Sequence, residues 1–315
     1  MKKWFQKLAL GCALLPLALH TTLPAATAAE TTEPVAATAA PVVPTVDADP
    51  ALWVVKDEDT TIYLFGTVHV LKPGLGWFDE AVKDAFDQSD ELMLEIVMPD
   101  DPAAMAKTMM PLAVDPNGKA LSSRLGADDL KAYQAAMTDI GIPAAQFEMF
   151  EPWFVAVTMS MLPLAKLGYD PEQGAEKQLT TIAKQNGKPI SGLETVEQQL
   201  GYLDQLPEAA QVNYLNTVVR DIAKMGPTLD TLVAQWAAGD PDALAGTMNE
   251  SLGSTPELAK TLLWDRNLNW ADQITARMAK PGTVFIAVGA GHLAGEKSVQ
   301  DYLKERGLTA ERIEY

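Results

Sequence analysis

Two histidines carry the chemistry that this sequence offers, and both sit in the same local frame. Gly66-Thr67-Val68-His69 closes the apolar run 61–65, and Gly289-Ala290-Gly291-His292 closes the apolar run 283–288. Each site reads as a buried strand, a glycine that lets the chain turn sharply, and an imidazole delivered just past the strand end. The chain holds three histidines in all; the third, His20, lies in a segment expected to be removed. An imidazole at a strand end can ligate a divalent cation or carry a proton. In open α/β sheets, sites gather at the carboxyl ends of strands.

Three further side chains belong to this set. Glu95 interrupts ELMLEIVM (91–98), an apolar stretch of strand length. A carboxylate there is costly unless it is paired, protonated or bound to a cation. The plainer explanation is a strand-end glutamate that reaches solvent or forms a salt bridge. Glu194 stands at another strand-to-helix junction, in Gly192-Leu193-Glu194-Thr195. Arg266, among Leu262, Leu263, Leu268 and Trp270, either snorkels on the surface or orients a site carboxylate and an oxyanion.

These types allow His69, His292 and Glu95 to hold a divalent cation with positions open for water and substrate. Glu194 would then be a fourth ligand or the general base, with Arg266 holding the developing oxyanion. A metal-free variant uses one histidine as general base, oriented by a glutamate. A third possibility keeps the pocket without turnover, as a binder of a peptide or small ligand. Glu176 reads only as a first-turn acid of the helix that follows Gly174.

The elements that must position these residues are legible in part. A hairpin is expected over 53–56 and 60–65 around Asp57-Glu58-Asp59. Phe78, Val82 and Phe86 share a helix face. Helical stretches follow, clearest over 128–138 and 154–167, and Met149, Met159 and Met161 read as core packing. A short strand at 188–191 precedes a capping box of Thr195 and Gln198. The pattern from 199 to 280 is helical, with breaks at Pro207, Gly226-Pro227, Gly239–Pro241 and Gly253–Pro256, and its last helix spans 257–278. A helix over 299–306 with Gly307 at its end and a strand over 309–313 close the chain. The fold class expected is α/β or α+β: a central mixed sheet with flanking helices, a large helical insertion and two β–GxxH–helix–β units.

Composition bounds the rest. The formal net charge of −18 over 315 residues argues against nucleic acid as a partner. Lys2, Lys3 and Lys7 precede an apolar stretch, and Ala26-Thr27-Ala28 offers a cleavage site, so residues 1–28 read as a secretory signal peptide. Residues 29–50, rich in Ala, Pro and Thr, read as a flexible linker, and 51–315 as the folded domain. The one cysteine, Cys12, lies within the signal. Reading it as a lipoprotein site would leave almost no apolar segment before it, so a periplasmic or secreted product is expected, without disulfides and without a transmembrane helix.

Taken in order, Leu64-Phe65-Gly66-Thr67-Val68-His69, Glu95 in its apolar strand, Glu151-Pro152-Trp153, Gly192-Leu193-Glu194-Thr195 with Gln198, Arg266-Asn267 and Gly289-Ala290-Gly291-His292 resemble the TraB/PrgY/GumN family, which includes the Tiki proteins. The resemblance spans about residues 52 to 313. It implies an α/β fold with a helical insertion and a site built by the paired GxxH segments. Tiki relatives are metal-dependent proteases favouring manganese or cobalt, so those ions are favoured here, with zinc or iron as alternatives. PrgY and TraB relatives are associated with blocking peptide pheromones, and erythromycin-esterase and ChaN-like proteins are distant kin. The chain departs from the common zinc-peptidase pattern in having no HExxH motif. The expected function is that of an exported, peptidase-like metal-dependent hydrolase acting on a peptide or small-molecule substrate.

Overall fold

The computed structural model of the protein describes residues 46–252 and 256–314; the expected signal peptide and most of the expected linker lie outside them. The core is a six-stranded mixed sheet built from β2 (Leu52–Lys56), β3 (Thr60–Thr67), β5 (Glu91–Ile96), β6 (Ile190–Glu194), β7 (Gly282–Gly289) and β8 (Glu311–Ile313). Its spatial order is β6-β5-β7-β3-β2-β8. The four strands β6, β5, β7 and β3 run parallel, while β2 is antiparallel to both β3 and β8. The two-residue strands β1 (Val46–Asp47) and β4 (Leu75–Gly76) pair separately, in parallel.

The expected hairpin is β2–β3, and its acidic turn is locked by Asp57, whose Oδ1 accepts from the backbone N–H groups of Asp59 and Thr60. The central strands are apolar nearly throughout because helices cover both faces of the sheet. On one face α1 (Glu80–Gln88), α5 (Ala175–Gln185), α8 (Met225–Ala237) and α9 (Pro241–Leu252) bury residues such as Phe86, Leu179, Trp236 and Leu244 with Phe65 and Phe285. On the other, α11 (Asp265–Met278) and α12 (Val299–Glu305) bury Trp270, Ile274 and Leu303 with Ile62, Leu64 and Ile286.

A second, largely helical core holds α2 (Pro102–Ala113), α3 (Ala127–Ile140), α4 (Pro152–Met161), α6 (Val196–Asp204) and α7 (Glu208–Asp221). It meets the carboxyl end of β5, where Ile96 and Met98 pack against it. This is the helical insertion, and Glu151-Pro152-Trp153 anchors it: Glu151 and Asp115 pair with the buried Arg124, while Trp153 is fully buried.

Several local expectations shift. The apolar stretch 154–167 is helical only to Met161, because Pro163 cannot continue the ladder. The strand expected at 188–191 is β6, which runs on to Glu194. The break expected at Gly226-Pro227 falls just before them, in the 3-10 turn Ile222–Lys224 between α7 and α8, and the two residues lie in the first turn of α8, where a missing N–H is harmless. The helix expected over 257–278 is interrupted by a π-helical turn, Lys260–Trp264, between α10 (Pro256–Ala259) and α11. The end of the expected linker is structured, since Val46–Asp47 forms β1 and Ala48 is buried.

Candidate functional site

The four parallel strands set the site. Read across the sheet, their carboxyl ends deliver Glu194 (β6), Glu95 (β5), the GAGH turn (β7) and the GTVH turn (β3). Thr67 stands opposite Gly289 in the β3–β7 pairing, and Ile96 opposite Glu194 in the β5–β6 pairing. The two GxxH segments are thus neighbours in space although they lie near opposite ends of the domain.

Their glycines serve close approach. A Cβ on Gly66 would stand 3.1 Å from the Ala290 Cα, so any side chain there would press the GAGH turn away from β3 by a few tenths of an ångström. Gly289 has an ordinary φ of −51°. A Cβ there would lie 3.0 Å from Glu95 Oε1 and 3.7 Å from both His69 Nε2 and His292 Cδ2. Those two ring atoms are therefore no further apart than the sum of the two distances, and both imidazoles and Glu95 border one small space. The expectation that the glycines allow a sharp turn is replaced by this steric reason.

Each ring is held by a different partner. His69 Nδ1–H donates to Glu176 Oε1 at 2.6 Å, and the Thr67 hydroxyl donates to the same oxygen. Burial alone would lower the His69 pKa, but the Glu176 carboxylate, with Glu95 behind it, overcomes this and raises the pKa to about 9, so the ring is protonated at neutral pH. His292 Nδ1–H donates to Asn267 Oδ1 at 2.5 Å. The amide orientation of Asn267 is set because its Nδ2 donates to the Lys297 carbonyl. His292 also packs against the Trp270 ring, 4.3 Å between centroids. Burial, only partly offset by Glu95, pushes its pKa down to about 3, so the ring is neutral.

Arg266 joins the carboxylates. Its Nη2 donates to Glu95 Oε2 at 2.6 Å and to Glu194 Oε2 at 2.9 Å, and its Nε reaches both oxygens of Glu194 at 3.1 Å. Its Nη1 donates to the Leu262 carbonyl at 3.1 Å and to His292 Nε2 at 3.2 Å. All five guanidinium N–H groups are thereby used. The Leu262 carbonyl that Nη1 meets lies within the π-helical turn, four residues before Arg266.

Glu95 is buried, a state that favours protonation, yet Arg266 beside it, with His292, His69 and the Gly289 N–H, holds its carboxyl far below the usual carboxylate range. Its Oε1 accepts from Gly289 N–H at 2.6 Å and its Oε2 also accepts from Gln199 Nε2 at 2.9 Å. Glu194 is enclosed as well: beyond Arg266, Oε1 accepts from Trp270 Nε1 at 2.8 Å and Tyr202 OH at 3.4 Å.

The structure brings together all five residues singled out in the sequence: His69, Glu95, Glu194, Arg266 and His292. It adds Glu176 and Asn267, which local pattern did not single out. Glu176 is in the first turn of α5 as expected, but its carboxylate faces His69, because that helix start docks on the GTVH turn through an Ala175 N–H to Val68 carbonyl bond of 3.0 Å. Its signal in the sequence was only an acid two residues after a glycine. Asn267 was visible solely as the neighbour of Arg266.

The donor chemistry fits a cation in part. Both rings spend Nδ1–H on a fixed acceptor, so Nε2 is the nitrogen that could ligate: on His292 it carries no proton, while on His69, whose pKa is raised to about 9, it must first give one up. His292 Nε2 lies 3.7 Å from Glu95 Oε1, near the spacing of two ligands that share an ion with bonds of about 2.0–2.2 Å. Against this, Arg266 already occupies the His292 lone pair. Among the described residues no group of three or more His, Cys, Asp or Glu side chains stands ready to hold a metal.

The TraB/PrgY/gumN family model matches residues 51–312. The uncharacterized protein YbaP of Escherichia coli (strain K12) is 26% identical over 259 residues, 81% of this chain and 92% of YbaP. An uncharacterized protein of Treponema pallidum (strain Nichols) is 21% identical over 272 residues, 81% of this chain and 80% of that protein. Metalloprotease TIKI2 of Danio rerio is 24% identical over 318 aligned positions, 84% of this chain and 61% of TIKI2. No solved structure matches. The family match runs from β2 to β8 and takes in both GxxH segments with every side chain gathered between them, so the chain belongs to the TraB/PrgY/gumN family.

Proposed function

We propose that this protein is a hydrolase of amide or ester bonds, peptidase-like in class, that works with a divalent cation of the manganese or cobalt type. The observation that carries the reading is the shared space in front of Gly289, bordered by His69 Nε2, Glu95 Oε1 and the His292 ring. The kinship with a protein named a metalloprotease supports the class of reaction. His69, Glu95 and His292 would hold the cation. When bound, it supplies a Lewis acid and a water of lowered pKa.

The chain's own residues do the remainder. Glu176 and Asn267 take the Nδ1–H of each ring and leave Nε2 as the nitrogen to ligate, once His69 has lost its proton. Glu194, saturated by four partner groups on three residues, is the anchor of Arg266 rather than a base. Arg266 must release His292 Nε2 for that nitrogen to ligate; its Nη1 then becomes the donor able to meet an oxyanion. Of the ligands, His69 is the most open, with 28% of its side chain exposed, so substrate would approach from its side.

The hold of Arg266 on His292 favours a second reading, a metal-free hydrolase in which His69 backed by Glu176 handles the proton. Metal analysis of the purified domain, with a peptide and ester screen in manganese and in chelator, separates the two. Turnover that disappears in chelator and returns with manganese supports the metal reading; full turnover in chelator sinks it. Absence of turnover on every peptide and ester leaves a binding protein. Export to the periplasm is part of the same proposal, on the charged and apolar start of the chain. An intact mass starting at Ala29 supports it, and a lipidated Cys12 as first residue overturns it in favour of an anchored lipoprotein.

A further inference from the structure

The two GxxH histidines look equivalent in sequence, but their supports differ in kind. His292 leans on the neutral amide of Asn267 and is sealed under Trp270 and Arg266. His69 leans on a carboxylate. That carboxylate is itself fixed: the buried Thr67, two residues before His69, donates to the Oε1 that accepts the ring N–H. The start of α5 is pinned to the same turn by the Ala175 N–H to Val68 carbonyl bond, and a Cβ on Gly174 would collide with the His69 carbonyl. Nothing in a first-turn glutamate requires such an arrangement. A helix-start acid satisfies its helix equally well while facing solvent.

We propose that Glu176 is the positioning residue of this site: it holds the His69 ring so that Nε2 faces Glu95 and Gly289, and it makes that nitrogen the stronger of the two imidazole donors. A carboxylate behind a ligating imidazole fixes the ring and raises its basicity, and removing such a partner typically costs 10–100-fold in metal affinity. An amide, as behind His292, fixes the ring without that electronic push. The site is therefore asymmetric, with His69 the dominant ligand and His292 the buried, weaker one. This inference rests on the metal reading above for its affinity consequence, but its geometric half stands apart from it.

Two measurements on the purified protein test it. The first titrates manganese or cobalt into wild type, Glu176→Ala, Glu176→Gln and, as the comparison at the other ring, Asn267→Ala. The expected result is a Kd raised roughly 10–100-fold in Glu176→Ala, with Glu176→Gln recovering part of the loss because its amide oxygen still accepts from Nδ1–H. A melting temperature that falls in Glu176→Ala while metal affinity stays at the wild-type value overturns the proposal, since that is the signature of a merely structural contact. The second measurement follows the imidazole N–H signals of 15N-histidine-labelled protein without metal, assigned through His69→Gln. A slowly exchanging, strongly hydrogen-bonded Nδ1–H of His69, present in wild type and lost in Glu176→Ala, supports the positioning role; the same signal in both overturns it. If the wild type binds neither ion, the metal reading fails, and the spectroscopic result still decides the role of Glu176.

Discussion

Arg266 Nη1 lies 3.2 Å from His292 Nε2 and caps the lone pair of that ring. Because His292 Nδ1–H is committed to Asn267, the contact can only be Arg266 donating to a neutral imidazole. The same guanidinium pairs with both Glu95 and Glu194. Two buried carboxylates and a buried histidine thus share one resident cation, and most expected behaviour of the site follows from it.

Replacing Arg266 with methionine removes that cation and leaves two carboxylates uncompensated. The expected cost is about 3–5 kcal/mol of unfolding free energy, the range for breaking a buried ion pair from one side. Urea denaturation measures it. Arg266→Lys keeps a charge but has three donors in place of five, so it should recover only part of the loss. A methionine variant of wild-type stability would show that the ion cluster is not energetically linked to the fold.

Gly289→Ala tests the space itself. The backbone angle accepts alanine, but the new methyl stands 3.0 Å from Glu95 Oε1 and 3.7 Å from atoms of both rings. The fold should survive with a cost of about 1–3 kcal/mol, while metal binding and hydrolysis are lost. Calorimetry alongside a metal titration checks both parts; full metal binding by this variant would mean the shared space is not the site.

Glu95→Gln is not a silent isostere here. Both oxygens of Glu95 accept hydrogen bonds, from Gly289 on one side and from Arg266 and Gln199 on the other. An amide NH2 must then face a donor on one side, so the variant should lose about 1–3 kcal/mol as well as metal occupancy. Metal content unchanged alongside a lower melting temperature would mark Glu95 as a purely structural partner.

His69→Ala and His292→Ala should both abolish metal-dependent turnover, and the double variant should be little worse than either. Their stabilities should differ. His292 is fully enclosed, so its loss opens a cavity costing roughly 2–5 kcal/mol, whereas the partly exposed His69 should cost less. Thermal melts of the two single variants, with an assay once a substrate is in hand, check this; either variant with full activity ends the shared-site mechanism.

Stability should pass through a maximum with pH when chelator is present. His292 has a folded pKa of about 3 against 6.5, so the unfolded chain binds more protons between those values and stability falls as pH drops below 6.5. Glu95, depressed below its ordinary 4.5, adds a further loss on the acid side of that value. His69 acts oppositely: raised from 6.5 to about 9, its contribution is fully present below 6.5 and disappears as pH rises through 9. Denaturation midpoints between pH 4 and pH 10 record the curve, and a midpoint indifferent to the acid range would contradict the buried neutral state of His292.

The sequence by itself determined what is local. A strand-length apolar run ending in Gly-x-x-His reads directly, as does a carboxylate stranded in ELMLEIVM. The Thr195–Gln198 capping box forms as expected, with both reciprocal bonds present. Hydrophobic period, turn chemistry and capping act over a few residues, so they are written in neighbouring letters.

Only the tertiary structure decided the order β6-β5-β7-β3, which makes neighbours of strands that long helical connections separate in sequence. It turned Glu176 from a helix-start acid into the partner of His69, and it gave Arg266 five acceptors drawn from four residues. It also supplied the steric reason for Gly66 and Gly289, whose missing Cβ atoms matter because of Ala290 and Glu95. Each of these depends on contacts through space, set by how helices pack the sheet from both faces, and no periodicity along the chain encodes which side chains those contacts will join.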